Sequence, residues 1–570
     1  MADSILVVDD NSDLKDDLKN YVNKAVPEAT IIEAADKQSA INLINQIVFS
    51  VIATDINLGE SEEDGFEILK AAKKRSEDTQ VIVLTSYPKP EHISEVQKYD
   101  AYEFINRIDE IVPFEKQFPR KIKQALEFYK YKRQQEKKFD LTFTLPRNGM
   151  QPTVRSQGSA MSISEKPLEI DPDQLKMISS AISSLMLLEH RTNDEQIHKQ
   201  RNALSKFLGS FLWDKIFNDH PVLLNRYWES LGKITGNKNL TIRFEIEREY
   251  LDIPFELLTD GTYQLGLQHP IVRSFLNIKR REKSDFSLLL EKLENEPLRI
   301  LLVAANTFSP ELGLQPIPGA DREVRGIYDF FKNNLHDVKV NEDETRITGR
   351  FQLVKDGPCF GPKIELTTIY SHNSNFERIK NELEKGYHIV HLAAHGYLPP
   401  KNPQMNYLCF WENDCSFEDW QDLQLKILKT NFKNENVSNI DIKNNKFQKE
   451  IKSLRGEIYK LSANELGNII SKTDDTFIIY LSSCYSALTG SRSLLTYCNS
   501  LGIVDALAKA GVPIIVGHRL PLKDQASIKF ANEFYQHLLR NYSPEISLLR
   551  ARKSLPEDDS AWASAVMLMQ

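Results

Sequence analysis

Two apolar runs in the last third of the chain constrain its fold most. Residues 388–396 read His-Ile-Val-His-Leu-Ala-Ala-His-Gly, and residues 477–486 read Phe-Ile-Ile-Tyr-Leu-Ser-Ser-Cys-Tyr-Ser. Each is a short continuous apolar stretch bounded by turn formers, the pattern of a strand buried on both faces of a parallel sheet. Each also delivers a chemically capable side chain just past its C-terminal end, His395 in one case and Cys484 in the other. In open α/β sheets ligands bind along that edge. A thiolate is a strong nucleophile and an imidazole can generate it, so a Cys and a His on neighbouring strand ends form a nucleophile and base pair. The pattern predicts a cysteine protease. His388 and His391 lie within the same strand and read as core histidines. Cys359, Cys409, Cys415 and Cys498 read as ordinary packed or surface cysteines.

Composition narrows the class. A length of 570 residues suits about three or four domains, each large enough to bury a core. The net charge of −8 gives no overall basic excess that would point to nucleic acid. The five cysteines form no CxxC pair, which argues against a zinc site or a disulfide scaffold and for a reducing compartment. The N-terminus lacks a basic segment followed by an apolar stretch, and no run long enough to span a bilayer occurs, so the expected location is cytoplasmic with no membrane partner.

The first 138 residues alternate buried strands with amphipathic stretches: Ser4–Asp10, Ser50–Asp55, Gln80–Ser86 and Tyr102–Arg107, with Ser12–Asn23 and Gln38–Ile47 between them. That order implies a parallel sheet covered by helices on both faces. Asp9, Asp10 and Asp55 converge at the strand ends. Clustered carboxylates repel one another unless a hard cation lies among them, and Mg²⁺ suits such oxygen ligands. A carboxylate beside the metal can attack a phosphoryl donor. This segment resembles the receiver domain of two-component response regulators. The resemblance implies a flavodoxin-like fold, Asp55 as phosphoacceptor, Asp9 and Asp10 as the acidic metal pocket, Thr85 as the hydroxyl contacting the phosphoryl group, and Phe104 as the aromatic switch. It also implies a histidine kinase or other phosphodonor as partner. The family's characteristic lysine falls on Arg107, which keeps the charge but presents a planar fork. A receiver kept only for docking is the alternative.

Residues 139–172 lose periodicity and are rich in turn formers, so they read as a flexible linker. Residues 173–239 restart apolar periodicity and predict a helical connecting region without a repeat. From 240 onward strands and helices alternate to the end of the chain. This last segment, 240–570, resembles the CHAT domain, a caspase-like peptidase module related to separase. The resemblance is carried by Ile-Pro-Phe-Glu-Leu-Leu (253–258), Pro-Ile-Val-Arg (270–273), His-Leu-Ala-Ala-His-Gly (391–396), Leu-Ser-Ser-Cys (481–484), Ala-Gly-Val-Pro-Ile-Ile-Val-Gly (510–517) and Trp562-Ala563. It implies His395 as base, Cys484 as nucleophile, no cofactor for the peptidase, and a protein substrate, often in bacterial stress or cell-death pathways.

The chemistry also needs pre-aimed donors for an oxyanion. The backbone N–H groups of Cys484 and Gly396 are the natural pair, with Gly396 letting the chain turn sharply after the strand. The run 517–524 is similar to a separase stretch whose aspartate holds an arginine side chain, which places Asp524 in a pocket for basic residues; a helix N-cap is the equal alternative. The polar insert 417–454 reads as a lid or a surface insert. Together these features predict an α/β multidomain chain: a flavodoxin-like receiver, a helical middle, and a caspase-like α/β sheet peptidase controlled by phosphorylation. A scaffold built on a pseudo-peptidase that binds but does not cut is the runner-up.

Overall fold

In the computed structural model, residues 3–570 are described apart from 60–63, 77–78, 90–91, 93–100, 109–112, 135–137, 157–158, 234–238, 277–284, 353–359, 398–406, 433–444, 483–498, 519–523, 557–559 and scattered positions at 172–194, 252, 294–295, 310, 313, 315 and 542. The chain forms two compact units, one of residues 1–136 with 352–360 and the other of residues 137–351 with 361–570.

The first unit has a five-stranded parallel sheet, β1 (Ser4–Val8), β2 (Thr30–Ala34), β3 (Val51–Asp55), β4 (Gln80–Thr85) and β5 (Glu103–Asn106), in the order β2-β1-β3-β4-β5. That is the flavodoxin-like doubly wound order, in which chemistry gathers at the carboxyl ends of β1 and β3. Alternate residues of each strand face opposite sides. Leu6, Val8, Ile52, Val81 and Val83 enter one core, and Ile5, Val7, Val51, Ala53, Ile82 and Leu84 enter the other. The helix Ser12–Ala25 starts where Asn11 caps the backbone N–H groups of Asp13 and Leu14.

The second unit is built on one large mixed sheet. Its strands are β6 (Lys138–Leu145), β7 (Thr153–Ser156), β8 (Ser162–Ile163), β9 (Asn239–Ile246), β10 (Ile271–Phe275), β11 (Leu298–Ala305), β12 (Leu335–Val340), β13 (Arg346–Gln352), β14 (Phe360–Ile369), β15 (Ile389–Tyr397), β16 (Tyr407–Trp411), β17 (Ile458–Ser462), β18 (Ile478–Ser482), β19 (Ile514–His518) and β20 (Ala565–Met569). The order is β12-β13-β14-β11-β15-β18-β19-β20-β10-β9-β6-β7-β8, with β16 and β17 branching from β15. The run β14-β11-β15-β18-β19 is parallel, as the continuous apolar strands require.

Two expectations are corrected here. Residues 139–172 contain no simple linker: β6 pairs in parallel with β9 over its whole length, from Lys138↔Asn239 to Leu145↔Ile246. Leu141, Phe143 and Leu145 alternate inward and are buried, a period-two pattern masked by the turn residues that follow it. The helical middle is present as Glu195–Trp213 and Pro221–Gly232, but it packs on the sheet rather than standing apart as a connecting region. Phe217, just after the first of these helices, packs edge-on against Phe143 of β6 at 5.2 Å. The insert contributes the helices Phe417–Phe432 and Asn445–Arg455, and Trp420, Leu423 and Ile451 bury against Phe308 and Trp411.

A charged cluster lies inside this unit. Glu256 accepts from Arg273 Nη1 at 2.5 Å and Nη2 at 2.8 Å, and Arg552 Nη2 lies 3.5 Å away. All three side chains are fully buried. The guanidiniums also donate to the carbonyls of Ile253 and Ala565, each at 2.8 Å. The Ile-Pro-Phe-Glu-Leu-Leu and Pro-Ile-Val-Arg runs thus supply the two halves of one ion pair.

Candidate active site and phosphoacceptor pocket

β15 and β18 are adjacent and parallel, in register from Ile389↔Ile478 to Ala393↔Ser482. His395 and Cys484 each follow the last registered pair by two residues in sequence. Cys484 and its neighbours 483–498 lie outside the described residues, as do 519–523.

His395 is not beyond the strand, as the sequence suggested, but inside it. β15 leaves β18 and continues by antiparallel pairing with β16, His395 opposite Cys409, Gly396 opposite Leu408 and Tyr397 opposite Tyr407. His395 is completely buried. Gly396 is accordingly a strand residue, and the sharp turn expected there does not occur. The partner strand β16 is separated from β15 by a polar stretch, so no local periodicity could have revealed the extension.

The other histidines of the strand are core residues. The Nδ1 of His388 accepts the backbone N–H of Arg299 at 3.0 Å, and burial, then Arg299, pushes its pKa down. His391 is buried between Tyr480, which stacks on it at 4.8 Å, and Tyr535, whose hydroxyl is 3.2 Å from Nδ1. Burial pushes the Cys409 thiol up to about 12 and also raises that of Cys415, so both are held as thiols, poor nucleophiles. Cys359 and Cys498 lie outside the described residues. Asp524 opens the helix Asp524–Asn541; only its backbone is described.

A set of residues that sequence reasoning passed over surrounds the two strands. Glu323, from the helix Gly319–Asn334, is buried with Oε1 3.0 Å from His391 Nε2, and its Oε2 accepts from Ser527 Oγ at 2.5 Å. Ser527 Oγ is also 3.0 Å from Ser482 Oγ. The signal was present: Glu323 occupies the apolar stripe of Ala320, Val324, Ile327, Tyr328 and Phe331, where a carboxylate is out of place unless something inside needs it. Nearby, His518 is held by Tyr480 OH at 3.1 Å and Ser564 Oγ at 3.2 Å, and complete burial lowers its pKa to about 4.

In the first unit the predicted acidic residues do gather. Asp9 follows β1 and is buried; Asp10 beside it is exposed; Asp55 ends β3. Arg107 reaches between them, its Nη2 2.5 Å from Asp9 Oδ2 and 3.5 Å from Asp55 Oδ2. Asp9 Oδ1 accepts from Asn11 N at 3.0 Å and Asp55 Oδ1 from Asn57 N at 3.3 Å. Burial raises the Asp55 pKa above the ordinary value, with Arg107 opposing it. Thr85 Oγ1 accepts from the backbone of Tyr87 at 3.0 Å, and Phe104 is half-buried against the core. Two glycines allow the close approach: a Cβ on Gly65 would fall 2.3 Å from the Asp55 carbonyl oxygen, and Gly59 has φ +87° beside Asp10. The donors are hard carboxylate oxygens and suit Mg²⁺, although no three such groups among the described residues are disposed as a ready cation site. A metal and the Arg107 guanidinium draw on the same oxygens.

Family models match both units. The CHAT domain model matches residues 212–569, and the response regulator receiver domain model matches residues 5–109. Among solved structures, the chain is similar to a CheY-like response regulator receiver domain protein of Methanospirillum hungatei, at 22% identity over 23% of this chain and 99% of that one, with a TM-score of 0.21. It is similar to the chemotaxis protein CheY4 of Vibrio cholerae at 21% identity over 22% and 98% of the two chains, TM-score 0.19. A response regulator of Burkholderia pseudomallei with a phosphorylated aspartic acid, calcium ion and citrate is similar at 20% identity over 19% and 62%, TM-score 0.18. No curated protein matches the chain. No helix among the described residues is long and apolar enough to cross a membrane.

Proposed function

The chain belongs to the CHAT family and also carries a response regulator receiver domain, and from that premise we propose that it is a cysteine endopeptidase under phosphoryl control. The observation that carries this reading is the shared register of β15 and β18, which ends at Ala393↔Ser482 with His395 and Cys484 equally far along their segments. The Cys484 thiolate attacks the scissile carbonyl carbon, and the backbone N–H groups of Gly396 and Cys484 receive the developing oxyanion. The C–N bond then breaks as His395 gives its proton to the leaving amine. Water hydrolyses the resulting thioester, with His395 taking the proton, and the thiolate is restored. Cys409 and Cys415 are held as thiols, which counts against either of them as the nucleophile. Asp524 pairs with an Arg or Lys side chain before the scissile bond; a desolvated carboxylate favours a guanidinium strongly.

In the receiver, Asp55 attacks the phosphorus of a small phosphodonor or a histidine kinase, and the donor's leaving group departs. Asp9, Asp10 and Asp55 would hold Mg²⁺, which supplies charge neutralisation at the phosphoryl oxygens. Thr85 and Phe104 read the new charge, which phosphorylation raises by about −1.5 to −2. The position of Arg107 between Asp9 and Asp55 favours a second reading of this unit, a docking module in which the guanidinium already neutralises the pocket.

The test is a fluorogenic peptide library presented to wild type, Cys484→Ala, His395→Ala and Asp524→Asn. The expected result is cleavage after Arg or Lys by wild type, none by the first two variants, and loss of the basic preference in the third. Cleavage retained by Cys484→Ala sinks the peptidase reading. A neutral or acidic preference in wild type removes Asp524 from the pocket while leaving the thiol chemistry.

A further inference from the structure

One buried carboxylate ties together β15, β18 and the helix Asp524–Asn541. Glu323 reaches β15 through His391, four residues before His395. It reaches the first turn of the helix Asp524–Asn541 through Ser527. Through Ser527 it reaches Ser482, the last residue of β18 and two before Cys484. Ser527 Oγ donates to the carboxylate, and the two serine hydroxyls are 3.0 Å apart. The second nitrogen of His391 meets Tyr535, two turns further along the same helix. Glu323, His391, Ser482, Ser527 and Tyr535 are all buried.

Such a network is a poor way merely to fill a core. Well-packed apolar residues of the same volume commonly serve stability as well or better. What the polar network adds is geometry. Charge-assisted hydrogen bonds to one carboxylate are directional, and in a dry interior they reinforce one another. Burial acts to raise the Glu323 pKa, but His391, Ser527 and Ser482 together outweigh it and leave the group below its ordinary value, hence ionised. The network thus fixes the height of β15 against β18, and of the Asp524-bearing helix against both.

We propose that Glu323 is a positioning residue for the Cys484–His395 pair, acting on the cysteine through Ser527 and Ser482 and on the histidine through His391. This rests on the reading of Cys484 as nucleophile. Attack geometry is steep in distance: a misplacement of about 1 Å costs on the order of 10²-fold in rate.

The experiment uses the full chain with Glu323→Gln, Ser527→Ala, Ser482→Ala and Ser527→Thr. It reads kcat and KM on a fluorogenic peptide, the pH profile of Cys484 alkylation by iodoacetamide (mapped by peptide mass), and the folded fraction. The expected result is a kcat lower by about 10- to 100-fold in the first three, with KM within about twofold and the protein folded. Ser527→Thr keeps the hydroxyl and should recover most of the rate. If kcat per folded molecule stays within about twofold of wild type in both serine-to-alanine variants, the proposal is overturned and the network is structural. If wild type turns over no peptide, the peptidase reading fails separately. The alkylation rate of Cys484 then decides: a shifted profile in Ser527→Ala supports positioning, and an unchanged one overturns it.

Discussion

Replacing Glu256 by Gln should destabilise the second unit by about 4 kcal/mol. The side chain keeps its shape, but the carboxylate charge is lost between two guanidiniums that cannot lose theirs. Two short bonds change character, the 2.5 and 2.8 Å contacts from Arg273, and the new amide N–H group faces donors where an acceptor is needed. Hydrogen bonds to charged groups contribute about 1.5–3 kcal/mol each, which bounds the loss near 3–6 kcal/mol. Removing one partner of a buried ion pair costs about 3–5 kcal/mol, and the overlap of the two ranges gives the figure. The carbonyls of Ile253 and Ala565 remain as partners, but they carry no compensating charge. Urea unfolding followed by tryptophan fluorescence is the assay, because Trp411 and Trp562 are deeply buried in this unit. An internal control is Glu344→Gln, which removes an exposed carboxylate 3.5 Å from Arg325; surface pairs contribute less than about 1 kcal/mol. A loss below about 1 kcal/mol in Glu256→Gln, or an equal loss in the control, would refute the reasoning that burial turns this charge into a structural requirement.

Three further outcomes are expected. Arg107→Lys should tighten Mg²⁺ binding to the receiver by about tenfold in calorimetry, because a compact ammonium competes less broadly for Asp9 and Asp55 than a planar fork does; an unchanged affinity shows that the guanidinium does not compete. Gly65→Ala should abolish Asp55 phosphorylation by acetyl phosphate, read by intact mass, since its Cβ would overlap the Asp55 carbonyl oxygen at 2.3 Å; a normal adduct contradicts the close approach. Burial lowers the pKa of both His269 and His518 from 6.5 to about 4. The unfolded chain takes up those protons near pH 6.5 and the folded chain does not, so stability is full above 6.5 and falls between there and about 4, at roughly 1.4 kcal/mol per pH unit for each histidine. Urea midpoints at pH 7.5 and pH 5.5 should differ accordingly, and equal midpoints count against neutral burial of these rings.

Much of this architecture was readable from the chain because its central strands are buried on both faces. The apolar runs at 388–396, 477–486 and 510–517 correspond to β15, β18 and β19, and strands and helices alternate through the last segment as expected. What escaped was set by partners distant in sequence. β6 is masked by the turn formers that follow it, and each residue of β9 that it pairs with lies 101 positions further along the chain. The extension of β15 through His395 depends on β16, which lies beyond a polar stretch. Glu323 is visible as a misplaced charge on an apolar stripe, but its purpose appears only when β15, β18 and the helix Asp524–Asn541 close around it.

The most direct test of the central claim is covalent capture of the nucleophile. Wild type, Cys484→Ala and His395→Ala are incubated with a peptidyl chloromethylketone bearing arginine, and the product is mapped by mass. One adduct is expected on Cys484, absent from Cys484→Ala and slowed by about 10²-fold or more in His395→Ala. Labelling of Cys409 or Cys415 instead, or an undiminished rate without His395, would contradict it.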